Sequence, residues 1–251
     1  GRDEAGRDIR RELVKERVKA KILLAEDEGS GYSIILLSPD GERTILVYLG
    51  ASEELILDDV RNLPKAKCVY IAPGGIKYEV IQKVITDFAK RGLFTAINPS
   101  RAYLGLGREK LLPLLNKTKV VILNREEALT LTGGSYQDAR DVFNKLDKLI
   151  SGTVVMTDVP RGVWVSDGRK LYKAGIFQEK KLVDRTGAGD AFGSGFVAGL
   201  LRSGGDIKYA IRLGSANATS VVEQVGAKEG ILSRSQFDKE KRWRKLEIKI
   251  Y

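Results

Sequence analysis

At 251 residues the chain can bury a sizeable core, either as one α/β domain or as two small ones. Its 43 Lys and Arg against 33 Asp and Glu leave a net charge of +10. Histidine is absent and Cys68 is the single cysteine, which excludes Ser–His triads, histidine bases, histidine metal sites and an internal disulfide.

No apolar run is long enough for a bilayer and no signal-peptide pattern occurs, so the expectation is a globular, cytoplasmic protein without a membrane partner. The many charges with one Met and one Cys lean towards a thermophilic source. The basic surplus is scattered, without an arginine stripe and interleaved aromatics, which weighs against nucleic acid. The concentrated exception is 239–244, KEKRWR, read as a solvated end or as a functional patch. Polyanionic small molecules such as nucleotides fit the same surplus.

The chain opens at Gly1 without methionine in a helix-like stretch, 8–17, and residues are expected to precede it. Short β-prone stretches follow at 22–25, 32–38 and 44–49, with Pro39-Asp40-Gly41 as a turn, and suggest a small sheet. From Cys68 strands alternate with helices: strand 68–72, helix 78–91, strand 94–98, helix 109–115, strand 120–123, helix 125–131. Helix 138–150 then leads into strand 153–157. This alternation predicts a mainly parallel sheet covered by helices. Strands 163–166 and 170–173, joined by Asp167-Gly168-Arg169, read as a hairpin appended to it. Helices 189–202 and 207–222 close the reading, which is one α/β domain with a small β appendage.

Ligands of open parallel sheets sit beyond the carboxyl ends of the strands. Asn98, Asn124 with Glu127, and Thr157 with Asp158 fall at such ends. Residues 184–200, DRTGAGDAFGSGFVAGL, carry the strongest signal. A glycine-rich turn enters an apolar helix whose first amides have no intrahelical partner and whose dipole favours an anion. Gly187, Ala188 and Gly189 let an anion approach the main chain, and Asp190 beside them suits a base taking a proton from an attacking hydroxyl. The plainer alternative is a tight turn with Asp190 favourable to the dipole. No G-x-x-x-x-G-K-[ST] segment is present, which excludes a P-loop enzyme, and no early G-x-G-x-x-G supports a dinucleotide dehydrogenase.

DRTGAGDAFGSGF resembles the second signature of the ribokinase-like (PfkB) carbohydrate kinase family, D-T-x-G-A-G-D-x-F, with Arg185 in place of the common Thr. Asn124-Arg125-Glu126-Glu127 is similar to its N-x-x-E, and Gly1-Arg2-Asp3-Glu4-Ala5-Gly6 to its G-x-D-x-x-G. The stretch 32–50 resembles its lid strands within about 21–51, with Gly50-Ala51 as the G-A pair that meets the sugar. Asn217 and Gly226-Ala227 resemble its nucleotide-side elements, and the landmarks follow the family order.

The resemblance implies a three-layer α/β/α fold with a mainly parallel central sheet and a small β lid. It implies an ATP-dependent kinase acting on a sugar or sugar derivative, with Asp190 as the base and Gly187, Ala188 and Gly189 as the anion hole. Thr157 and Gly162 would line the ATP phosphates and ribose, Asn217 would sit near the adenine, and Gly50 near the sugar. Asn124 and Glu127 would arrange Mg²⁺, mostly through water. Asp184 would belong to a monovalent-cation loop, although Glu223 and Gln224 stand where relatives often carry Thr and Arg. Relatives often form a homodimer through the lid. The family's first strand, its substrate-gripping Asp and its G-G-x-x-x-N loop would precede Gly1, and Asn98-Pro99-Ser100-Arg101 holds the place of a D-P-N/D-x-N-x-R segment.

The residues leave plainer readings beside these. Asn124 could cap the helix at Arg125, Glu127 could be a first-turn acid, Thr157 a strand end, and Asn217 a helix-surface amide. A nucleoside kinase of the same family and a non-catalytic ligand-binding relative are the competing functions.

Overall fold

The computed structural model describes residues 1–37, 43–53, 55–61, 63, 65–133 and 138–251. The chain divides into two compact units, Gly1–Lys65 with Gly74–Val84, and Ala66–Pro73 with Ile85–Tyr251.

In the first unit, helix α1 (Glu4–Lys15) starts four residues before the sequence suggested, because Asp3 caps it by accepting the Gly6 amide at 2.8 Å. The Asp3 carboxylate also accepts the Ser30 amide and the Ser30 hydroxyl, each at 2.7 Å. The Ser30 amide, the Ser30 hydroxyl and the Gly6 amide hold it well below the usual carboxylate range. Gly6 is required there, since a Cβ would lie 2.4 Å from the Gly1 carbonyl oxygen. The G-x-D-x-x-G pattern is therefore a built cap. Residues 22–25 form no strand, contrary to the expectation: β-propensity without a ladder partner leaves Ile22, Leu23 and Leu24 exposed loop residues.

Strands β1 (Tyr32–Leu37) and β2 (Arg43–Tyr48) pair antiparallel with Tyr32 opposite Tyr48. The turn read at 39–41 lies outside the described residues. Ile34, Ile35 and Leu36 on one strand and Ile45, Leu46 and Val47 on the other are all exposed. Gly50, at φ +48°, opens a 3-10 turn, and a Cβ there would lie 2.2 Å from the Gly29 carbonyl oxygen.

The second unit is built on strand β3 (Cys68–Ile71), helix α2 (Tyr78–Lys90, divided between the units), strand β4 (Phe94–Ile97) and the short α3 (Arg101–Leu104). Helix α4 (Arg108–Leu115), strand β5 (Val120–Asn124), helices α5 (Arg125–Thr132) and α6 (Ala139–Leu149), and strand β6 (Thr153–Thr157) follow. Strands β7 (Val163–Ser166) and β8 (Leu171–Ala174) precede helices α7 (Ala188–Ser203), α8 (Ile207–Val222) and α9 (Arg234–Lys239) and strand β9 (Ile248–Ile250).

Strand order equals chain order, β3 to β9. Strands β3 to β6 are mutually parallel, and β7, β8 and β9 join antiparallel in turn, so β8 points with the parallel set. The central strands β4 to β7 are buried on both faces. Val120, Ile122, Val155 and Val165 pack with Phe192, Phe196 and Ile211 of α7 and α8. The alternating Val121, Leu123, Val154 and Met156 are equally inaccessible. The structure adds α9 and β9, whose Ile250 pairs with Tyr172.

Candidate functional site

Turn residues at the carboxyl end of the sheet meet the first turn of α7. Gly187, at φ +76°, is the N-cap of α7 and gives it no side-chain cap. A Cβ on Gly187 would lie 2.0 Å from the Ala227 carbonyl oxygen, so the backbone of the final G-A pair requires glycine here. The Ala188 amide reaches the Arg185 carbonyl at 3.3 Å. The amides of Gly187, Gly189 and Asp190 donate to no acceptor among the described residues. Open space lies over Gly189, where a Cβ would meet nothing within 4 Å. Donors, dipole and room coincide at one helix start, which is the requirement for holding an anion. Asp190 is exposed on the same turn, and its carboxylate makes no hydrogen bond or ion pair among the described residues.

The preceding loop is fixed by Asp184, which accepts the Thr186 amide at 2.9 Å and the Gly226 amide at 3.1 Å. Glu223 accepts the Lys180 amide at 2.7 Å and pairs with Arg242 at 2.6 Å. Burial alone would push the Glu223 carboxyl up, but Arg242 and the Lys180 amide outweigh it and hold it below its ordinary value. Among the described residues, no three His, Cys, Asp or Glu side chains gather to hold a metal ion.

A cleft of about 90 Å³ opens beside the α7 start. Thr157, Val159 and Gly162 line it from the β6–β7 turn, and Ala188, Gly189 and Phe192 from α7. Gly175 and Ile176 close a third side. Gly162, at φ +100°, presses so close to β8 that a Cβ would stand 2.1 Å from the Ala174 carbonyl oxygen. The turn is held by buried Asp158, which takes Arg161 at 3.0 and 2.9 Å and Arg125 at 3.6 Å. Four of the residues singled out from sequence, Thr157, Gly162, Ala188 and Gly189, thus share one cleft.

Helix α8 completes it with Ser215, Ala218 and Thr219, spaced i, i+3, i+4 on one face. Asn217 is not on that face. It is buried, its amide donates to the Ala191 carbonyl at 2.8 Å and its oxygen accepts the Leu232 amide at 2.9 Å. It braces the first turn of α7 against the chain beyond α8. The small-residue spacing was the available signal for Ser215, Ala218 and Thr219, and nothing local distinguishes such a face from helix packing.

At the neighbouring strand ends, Asn124 caps α5, accepting the Glu127 amide at 2.9 Å, while its own amide donates to Glu127 Oε2 at 2.8 Å. The plainer reading of both residues is therefore realised. Glu127 Oε1 accepts no hydrogen bond among the described residues and remains a hard oxygen suited to Mg²⁺ or its waters. Burial pushes the Glu127 carboxyl up, partly offset by the Asn124 amide. Asn98 donates to the Ile122 carbonyl at 2.8 Å and ties β4 to β5.

Tyr70 was not singled out from sequence. Its hydroxyl is buried, lacks a hydrogen-bond partner among the described residues, and lies over Gly193, whose Cβ would meet it at 2.2 Å. Burial, with the Asp190 charge adding to it, pushes this phenol up to about 12. Gly50 belongs to the other unit.

Among the described residues, no helix is long and apolar enough to cross a membrane. The chain is 28% identical over 239 residues to a protein of Archaeoglobus fulgidus described as an uncharacterized sugar kinase, covering 92% of each chain. It is 31% identical over 163 residues to the cytidine kinase of Thermococcus kodakarensis, covering 64% of this chain and 57% of that enzyme. The fold matches the ribokinase of Giardia lamblia with a TM-score of 0.82 at 21% identity, over 95% of this chain and 80% of that one. The sequence pattern of the pfkB family carbohydrate kinases matches residues 1–234, so the glycine turn, the capped N-x-x-E and the doubly buried sheet are parts of one inherited scaffold, and the chain is a kinase of the pfkB carbohydrate kinase family.

Proposed function

We propose that the chain moves the γ-phosphate of ATP to a hydroxyl of a sugar or sugar derivative, with Asp190 as the base. The observation that carries this reading is the α7 start: amides at Gly187 and Gly189 and a carboxylate at Asp190 without partners among the described residues, with open space above Gly189. In the proposed step the acceptor oxygen bonds to the γ-phosphorus and the bond to the ADP oxygen breaks. The acceptor proton passes to Asp190 as the new bond forms, so a carboxylate suffices as base. The amides of Gly187, Ala188 and Gly189 stabilise charge on the moving phosphoryl group, the Ala188 amide by turning from Arg185.

The apolar cleft walls, Val159, Ile176 and Phe192, suit a nucleobase, with Thr157 and Gly162 on the phosphate and ribose side. Asn217 acts on the adenine side by bracing α7 rather than by lining the cleft. When bound, Mg²⁺ neutralises charge on the polyphosphate. Asn124 and Glu127 would hold it through water. Gly50 is assigned to the acceptor by resemblance. A monovalent cation beside Asp184 rests on resemblance alone, and the step runs without it.

A nucleoside acceptor is the second reading, favoured by the identity to an archaeal cytidine kinase. ADP release measured with ATP against pentoses, hexoses, phosphosugars, keto-deoxy sugars and nucleosides separates the two. Release with a sugar supports the first reading and release with nucleosides alone the second. Release with none, from protein that binds ATP, leaves a ligand-binding relative.

The apolar strands of the β1–β2 sheet are the proposed homodimer surface, since a two-stranded sheet exposing this much apolar surface gains stability from a second copy. A monomer by sedimentation equilibrium at every concentration tested removes the dimer. A cytoplasmic location completes the proposal.

A further inference from the structure

A second cavity, of about 200 Å³, lies at the N-terminal half of α8, where Tyr209 and Arg212 meet Phe237, Asp238, Trp243 and Arg244. Its chemistry is unbalanced. The Trp243 side chain is 2% exposed, yet its indole Nε1–H has no hydrogen-bond partner among the described residues. A buried donor left unpaired carries an uncompensated desolvation cost. The remainder of the ring is committed: Phe177 meets it edge-on at 5.2 Å and the Arg242 guanidinium stacks at 3.9 Å.

The two guanidinium groups lining the cavity also lack acidic partners among the described residues. Arg212 makes only a 3.4 Å bond to the Lys208 carbonyl one turn back, and Arg244 one bond to the Asp238 carbonyl at 3.0 Å. Asp238 is the single acid in the lining, and its carboxylate is taken by Arg202 at 2.5 Å and by Arg234 at 3.7 Å. Two uncompensated cations therefore border a space walled by Tyr209 and Phe237, whose rings meet edge-on at 5.7 Å, and Trp243, with its orphaned N–H buried, belongs to the same lining.

We infer that this cavity binds a phosphate dianion, free or carried as a monoester on a small apolar body. Two positive charges match a dianion rather than a carboxylate, and guanidinium forks pair with phosphate oxygens in a bidentate manner. The aromatic walls would bury the body of a monoester, and the buried indole N–H of Trp243 reports on a ligand seated against its ring. The site is separate from the α7 cleft: α8 offers Tyr209 and Arg212 here, and Ser215, Ala218 and Thr219 there.

The test follows the two indole N–H resonances of the full chain by ¹⁵N–¹H correlation, with Trp243→Phe assigning them by loss of one. Inorganic phosphate and phenyl phosphate are the probes. Either probe is expected to move the Trp243 signal saturably while leaving Trp164 in place, and the two midpoints tell the free ion from the monoester. Arg212→Gln with Arg244→Gln is expected to raise the midpoint at least about tenfold, the loss of one charge-assisted contact or more. A Trp243 signal that stays still, or one that moves with the same midpoint in the double variant, overturns the assignment. Should the double variant not fold, Arg244→Gln alone gives the same reading, because Arg244 is exposed and braces only one carbonyl.

Discussion

Asp190→Asn is expected to lower kcat by about 10²- to 10⁴-fold, the range that general-base removal spans. The substitution is nearly isosteric, and the carboxylate makes no hydrogen bond or ion pair among the described residues, so neither α7 nor its loop loses a bond. Nucleotide affinity is expected to hold or to tighten slightly, because a negative charge beside the anion site opposes polyphosphate. Calorimetric titration with ATP and single-turnover ADP release separate the two effects. Turnover within a few-fold of the wild type would remove Asp190 from the chemistry, while weakened ATP binding with kcat unchanged would make it a binding residue instead.

Gly187→Ala is the second large effect, and it acts through the backbone. The new Cβ would stand 2.0 Å from the Ala227 carbonyl oxygen, and no side-chain rotation relieves a contact between two main-chain positions. The φ of +76° adds the cost of a left-handed conformation, about 1–2 kcal/mol. The loop must move, and the amides of Ala188 and Gly189 move with it. A loss of about 10²- to 10³-fold in kcat is expected, as for an oxyanion donor withdrawn, together with a lower Tm. Gly189→Ala is the control: its Cβ enters open space at ordinary φ, so Tm is expected to stay while ATP binding weakens. Equal Tm and equal turnover in Gly187→Ala would dismiss the backbone argument.

How much of this was legible depended on whether the constraint is written in residue type. Gly187 and Gly162 were legible because their backbone positions tolerate no Cβ. The N-x-x-E of α5 was legible because a reciprocal cap needs those two side chains three residues apart. The resemblance puts Asn217 on the nucleotide side, and its buried bonds to Ala191 and Leu232 could not be read locally because both partners are far away in sequence. Ser215, Ala218 and Thr219 line the cleft but look locally like any small-residue helix face. Strand β9 was missed because three residues carry no period, and only the edge of β8 makes them a strand. Residues 22–25 failed in the opposite sense, with propensity present and no edge to join.

The packing of α7 on α8 restricts how this enzyme can diversify. A Cβ on Gly199 would lie 2.7 Å from the Ala210 Cα, one on Gly214 2.9 Å from the Phe192 carbonyl oxygen, and one on Gly195 3.0 Å from the Gly214 Cα. Two helices this close leave the start of α7 little room to drift, and a side chain at Gly199 or Gly214 forces the backbones apart, while one at Gly195 requires its neighbour to yield by a few tenths of an ångström. The cleft rim is different: Val159 is 65% exposed and Ile176 48%, and either can change without disturbing the interlock. Sequence variation among descendants of this chain should therefore accumulate at the cleft rim, while the α7–α8 interlock stays constant.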